Sequence, residues 1–248
     1  MISIVICTLN EEYYLPKLLD SIRIQKDYQY EVVISDTGSE DSTAEVAHRY
    51  KSEFGMPINF IACNNLRNIS LQRNIGANHA IYEHLLFLDA DVVLPDENFL
   101  KTAMKEVISE GIKVGGCKIY ATESNLYYRF LYWMYSNIYL TTLRWFKPAV
   151  HGCCIFSTKE IYYKIGGFNN NIIFEDYRYD EDAAIYYRSK LLKSTFVKTS
   201  ARRFYKATFR STVELLLAGI YSFFRTGIKG EYMKGYFRLT GKHSKPQY

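Results

Sequence analysis

Over its first 120 residues the chain alternates short apolar runs with segments of helical spacing, and this rhythm constrains the fold more than any other feature. Ile2–Cys7 reads as a strand, and Tyr14–Ile24 carries Leu15, Leu18, Leu19 and Ile22 at helical intervals. Glu31–Ser35 is a strand followed by the turn "DTGSEDS", Ser42–Phe54 a helix, Ile58–Cys63 a strand and Leu71–Tyr82 a helix. His84–Leu88, Glu97–Ser109 and Lys113–Tyr120 continue the series as strand, helix and strand. Alternation of this kind predicts an α/β fold with a Rossmann-like, mostly parallel sheet flanked by helices.

The most informative stretch is "HLLFLDADVVLP", where a buried-type strand runs into Asp89 and Asp91. Side chains alternate along a strand, so the two carboxylates are expected to share a face. Open parallel sheets bind ligands beyond the carboxyl ends of their strands. That edge would gather Thr8–Glu12, Asp36–Asp41 and Asp89–Asp91 from three distant loops. Two carboxylates there suit a hard divalent cation, Mg²⁺ or Mn²⁺, together with phosphate oxygens. Asp-x-Asp by itself is weak, since Asp180-Glu-Asp182 repeats it.

Beyond Tyr120 the rhythm breaks. The run 126–146 is aromatic and helical in spacing, fitting either a core helix or a greasy ligand-binding face. Cys153 and Cys154 are expected to fill a core strand, and "STFVKT" reads as a further strand. None of the five cysteines has zinc-ligand spacing, and their odd number argues for a reducing, cytosolic compartment. No run reaches the roughly 18–20 apolar residues of a spanning helix, and the first residues lack a basic leader pattern.

Charge is distributed unevenly. Arg188–Tyr248 holds fourteen Lys/Arg against two acids, a net of +12, whereas the first 187 residues carry −7. Within the tail, "STVELLLAGIYSFFRTG" opens with a capping-box pattern from Ser211 to Glu214 and continues as an apolar helix. Aromatics and Lys/Arg interleave after it, which suits an anionic membrane surface. The expectation is a folded unit over 1–205 that divides where the rhythm breaks, into halves 1–120 and 121–205. A basic amphipathic tail would span 206–248. The protein would lie peripherally at the cytoplasmic face of a membrane, with no nucleic-acid partner.

Six segments in order, over about residues 1–205, resemble glycosyltransferase family 2 with its GT-A fold. They are "SIVICTLNEE", "VVISDTGSEDST", "LQRNIGANHA", "FLDADVVLP", "HGCCIFSTKEIYYKIGGF" and "EDAAIYYR", with "TSARRF" following. Cys7 stands where that family usually has proline. The resemblance implies inverting transfer from a nucleotide sugar to a hydroxyl acceptor, such as a lipid-linked saccharide or cell-surface glycan. It implies donor contacts from Thr8, Asn10, Glu12, Asp36, Arg73, Asp89, Arg202 and Arg203, and a metal held by Asp91 with Asp89. His151, Gly152 and Glu181 would serve the acceptor. Asp182 would be the general base, preferred to Asp176 for its spacing to Arg188 and its expected place at a helix start. UDP, GDP and dTDP all stay open as donor nucleotides.

Two other classes compete. A haloacid-dehalogenase-type phosphatase also ends an apolar strand in Asp-x-Asp, but that strand usually opens its core domain, whereas three strands precede it here. A non-enzymatic basic module for membrane or RNA would explain the tail but not the acidic rim.

Overall fold

The structure is a computed structural model that describes residues 1–63, 68–123, 125–143, 150–170 and 175–202. The first half follows the expected order: β1 (Ile2–Thr8), α1 (Leu15–Arg23), β2 (Tyr30–Asp36), α2 (Thr43–Phe54), β3 (Ile58–Ala62), α3 (Ile69–His79) and β4 (His84–Asp89). A two-residue β5 (Val92–Val93), α4 (Phe99–Ser109) and β6 (Val114–Ala121) follow. Then come α5 (Leu126–Met134), a π-helical turn at Tyr135–Tyr139, α6 (Leu140–Leu143), β7 (Cys154–Thr158), α7 (Lys159–Lys164), α8 (Glu175–Ala184) and β8 (Lys190–Thr199).

The strands form one sheet in the order β3-β2-β1-β4-β7-β6-β8-β5. It is mostly parallel. Only β7, against β4 and β6, and β5, against β8, run the other way. β1, β2 and β4 are buried along nearly their whole length because helices cover both faces. Leu15, Leu18, Leu19 and Ile22 of α1 are all fully buried, as their spacing predicts. Both Cys153 and Cys154 are buried, but only Cys154 lies in β7, Cys153 falling in the turn just before it, and all five cysteines are free thiols.

On the other face α3 lies tight against β1. A Cβ on Gly76 would collide with the Val5 side chain, so only glycine allows this approach. Gly76→Ala is therefore expected to cost about 1–3 kcal/mol through overpacking. Urea unfolding measures it, and a loss below about 0.5 kcal/mol would mean that α3 can draw back from the sheet.

Two expectations are corrected. α3 starts two residues before Leu71 and ends at His79, because the Asn68 side chain caps it by accepting from the Leu71 N–H (3.1 Å). More important for function, Asp182 does not start a helix. α8 begins at Glu175, so the acids at its positive N-terminal end are Glu175 and Asp176, and Asp182 falls near its C-terminal end.

The aromatic run is not an ordinary core helix. α5 has no buried residue, and Leu126, Phe130 and Trp133 are exposed. Its other side and the π turn rest on the core through Tyr132, Tyr135 and Tyr139. Ser136, within that turn, bonds the backbone of Ile119 on β6. No helix among the described residues is long and apolar enough to cross a membrane. Arg203 and the tail 206–248 lie outside the described residues.

Candidate active site

Parallel register brings the predicted loops together. Thr8 pairs with Asp36 across β1 and β2, and Cys7 pairs with Asp89 across β1 and β4. The carboxyl ends of three strands thus form one rim.

The first two loops are welded by their own polar groups. Thr8 Oγ1 donates to Asp36 Oδ2 (2.8 Å), and Asp36 Oδ1 accepts from the N–H groups of Gly38 (2.9 Å) and Ser39 (2.8 Å). Asn10, at φ +57°, accepts from the Glu40 N–H through its side chain, and Glu12 accepts from the Ser42 N–H. Asn10 and Glu12 therefore brace the second loop. Asp36 is buried and spends its oxygens on Thr8 and its own turn. Gln72, which the sequence did not single out, ties the weld to α3 by donating to the carbonyls of Thr8 and Ser35.

Arg73 is the first of two charged hubs. It is 3% exposed. Its guanidinium binds Glu175 Oε1, donates to the Gly152 carbonyl (2.9 Å) and meets Asp89 Oδ1 (3.2 Å). Burial opposes its charge, but Glu175 and Asp89 outweigh that and hold it firmly protonated. Burial raises the Glu175 carboxyl, with Arg73 opposing and Asp176 adding to the rise. Gly152 sits between: its N–H donates to Asp176 Oδ2 (2.7 Å), and a Cβ there would meet both Asp176 and Arg73. His151 lies beside them, accepting from the Cys153 N–H at Nδ1 (3.2 Å) and packing edge-on against Tyr135. Asn74 pins the Gly-Gly-Phe turn by bonding both backbone polar groups of Phe168.

Asp91 and Arg202 form the second hub. β4 ends at Asp89 and the chain turns through Ala90 and Asp91, so strand alternation does not extend to Asp91. The expected shared face gives way to a division of partners. Asp89 meets Arg73, whereas Asp91 accepts from Thr199 Oγ1 (3.2 Å) and holds Arg202 Nε at 2.8 Å. Pairing of β5 with the end of β8 delivers Arg202 to this place. Arg202 also makes a two-pronged pair with Glu11 (2.7 and 2.8 Å) and lies over the Tyr14 ring (4.4 Å). Burial raises the Glu11 carboxyl against the pull of Arg202. Local pattern could not have separated Glu11 from Glu12, since only the return of the chain at Arg202 distinguishes them.

Asp182 pairs along its own helix. Asp182 takes two bonds from Arg178, one turn earlier on α8, and Glu181 lies 4.0 Å from the same guanidinium. In the competing Asp180-Glu-Asp182 motif, Asp180 is fully buried and burial pushes its carboxyl up to about 7.

Around the two hubs, five carboxylates (Glu11, Asp89, Asp91, Glu175, Asp176) gather with two guanidiniums. That excess of hard, negative oxygen fits a divalent cation chemically. No trio of His, Cys, Asp or Glu forms a ready cage among the described residues. Asp89 and Asp91 would then supply the protein's share of the ligands, and phosphate and water oxygens the rest, the usual arrangement for Mg²⁺.

A curled, mostly parallel sheet with this acidic rim defines a GT-A-type fold. Solved structures agree. The mannosyltransferase PcManGT from Pyrobaculum calidifontis, in complex with GDP-Man and Mn²⁺, superposes with a TM-score of 0.71 at 20% identity, over 96% of this chain and 68% of that one. Staphylococcus aureus TarS in complex with UDP-GlcNAc gives 0.63 at 18% identity, over 80% and 58%. Residues 3–166 match the model for glycosyl transferase family 2, and the chain belongs to that family. Curated relatives include the 4,4'-diaponeurosporenoate glycosyltransferase of Staphylococcus haemolyticus, 33% identical over 42% of this chain and 28% of that protein. The dolichyl-phosphate beta-glucosyltransferase of Drosophila melanogaster is 30% identical over 46% and 40%. The chain thus spans less than half the length of these relatives.

Proposed function

We propose that this chain is an inverting glycosyltransferase that moves a sugar from a nucleoside-diphosphate sugar to a hydroxyl acceptor with the help of Mg²⁺ or Mn²⁺. The observation that carries this reading is the meeting of Asp89, Asp91, Arg73 and Arg202 at the carboxyl ends of the central strands. The leaving diphosphate gains negative charge as the glycosidic bond breaks, and a bound divalent cation would offset it. Arg202 is the guanidinium placed to share that charge, with Arg203 its companion in sequence. The welded loop of Thr8, Asn10, Glu12 and Asp36 shapes the nucleoside pocket. His151, Gly152 and Glu181 stand for the acceptor side.

For the general base the geometry favours Asp176 over Asp182. Asp176 shares the Gly152 corner with Arg73 and is next in sequence to Glu175, the partner of Arg73, whereas Asp182 is ion-paired with Arg178 along α8. The acceptor we propose is a lipid-linked saccharide or related glycan, met at the cytoplasmic face of a membrane through the basic tail 206–248. The sequence of that tail supports this last step.

A thermal-shift panel of UDP-, GDP- and dTDP-sugars, with and without Mn²⁺, tests the reading. One nucleotide class is expected to stabilise the protein only with metal, by about 2.7 kcal/mol at a hundredfold excess over Kd. No stabilisation by any nucleotide sugar with Mn²⁺ would overturn it.

A further inference from the structure

We propose that Arg202 is an exchangeable counter-cation for Asp91: its guanidinium and a divalent cation compete for the same carboxylate oxygen, and Glu11 is the dock that keeps the arginine within reach. This rests on the reading of Asp91 as a metal-facing carboxylate. Asp91 is 6% exposed, with Oδ1 on Thr199 and Oδ2 on Arg202, so a cation approaching Oδ2 meets the arginine first. A guanidinium and a divalent cation cannot both sit against one oxygen without like-charge repulsion.

The two hubs differ in what can yield. Arg73 is buried beneath Phe168 and fixed to Glu175, Asp89 and the Gly152 carbonyl, so moving it would strand a buried charge. Arg202 is about a third exposed on its side chain and meets Asp91 through Nε. Its other two nitrogens hold Glu11, and its plane rests on Tyr14. Losing the Asp91 bond therefore leaves Arg202 with a charged partner and a ring to lie on. Glu11 is itself fixed by its backbone N–H, which donates to Thr43 Oγ1 (2.8 Å). The arrangement keeps Asp91 neutralised until a cation arrives, and it leaves a positive fork beside the diphosphate afterwards. Glu11 is on this account a positioning residue.

The test is Mn²⁺ binding by the full chain without nucleotide, read from the paramagnetic resonance of free Mn²⁺. Arg202→Ala and Arg202→Gln are both expected to bind Mn²⁺ at least about tenfold tighter than wild type, equivalent to about 1.4 kcal/mol. Equal or weaker binding by both variants overturns the proposal. If Arg202→Ala fails to fold in metal-free buffer, circular dichroism during Mn²⁺ titration decides: folding recovered by Mn²⁺ supports the exchange, and no recovery at any concentration overturns it. A parallel arm measures Mn²⁺ with nucleoside diphosphate on wild type and Asp91→Asn. Loss in Asp91→Asn with unchanged Arg202 variants sinks only the exchange, whereas undiminished binding by Asp91→Asn sinks the metal reading beneath it.

Discussion

Asp176→Asn is expected to lower turnover by roughly 10²–10⁴-fold, the usual cost of removing a general base. Donor affinity should persist, because an asparagine oxygen can still accept from the Gly152 N–H and leaves Arg73 with Glu175 and Asp89. Asp182→Asn should be mild by comparison. It loosens an ion pair with a partly exposed Arg178, an interaction worth about 0.2–1 kcal/mol of stability. Full turnover in Asp176→Asn with collapse in Asp182→Asn would return the base to the end of α8. The pair of variants thus separates an argument from geometry from one based on spacing to Arg188.

Arg73→Met should destabilise the fold by about 3–5 kcal/mol, because one substitution leaves Glu175, Asp89 and the Gly152 carbonyl without their shared partner in a buried place. Arg73→Lys should recover only part of that, since an ammonium cannot present the planar fork that reaches three acceptors at once. Urea unfolding at neutral pH measures both. Adding Glu175→Gln to Arg73→Met should restore some stability by removing one stranded charge, and the non-additivity would report the coupling directly. A loss below about 1 kcal/mol in Arg73→Met would mean that water reaches these carboxylates and that the hub is not the packed unit described.

These expectations show where local pattern serves and where it fails. Alternation of apolar runs was enough for β1, β2, β3 and β4 and the helices between them, because each element buries its own face at its own period. The rim followed from topology, as parallel strands bring their carboxyl ends to one edge whatever their loops contain. Asn10 and Glu12 were legible as members of that rim, although not as braces, since bracing depends on how the second loop folds back.

Past Tyr120 the reading weakened for a physical reason. Helix starts among many acids are ambiguous: Glu175-Asp176 and Glu181-Asp182 both suit a positive helix end, and the place where α8 starts decides between them. The strand rule placed Asp89 and Asp91 on one face, but the strand stops at Asp89.

What the sequence determined by itself is therefore the α/β order and the buried strands, which are local apolar patterns, and, through the parallel topology that this order implies, the loops that meet at the rim. Only the tertiary structure decided the partners. It set Arg73 between Asp89 and Glu175, 102 positions apart in sequence from 73 to 175, and Arg202 between Asp91 and Glu11, 191 positions from its dock. Charges that distant meet because the sheet order and register bring their strand ends together, and no local period carries that information.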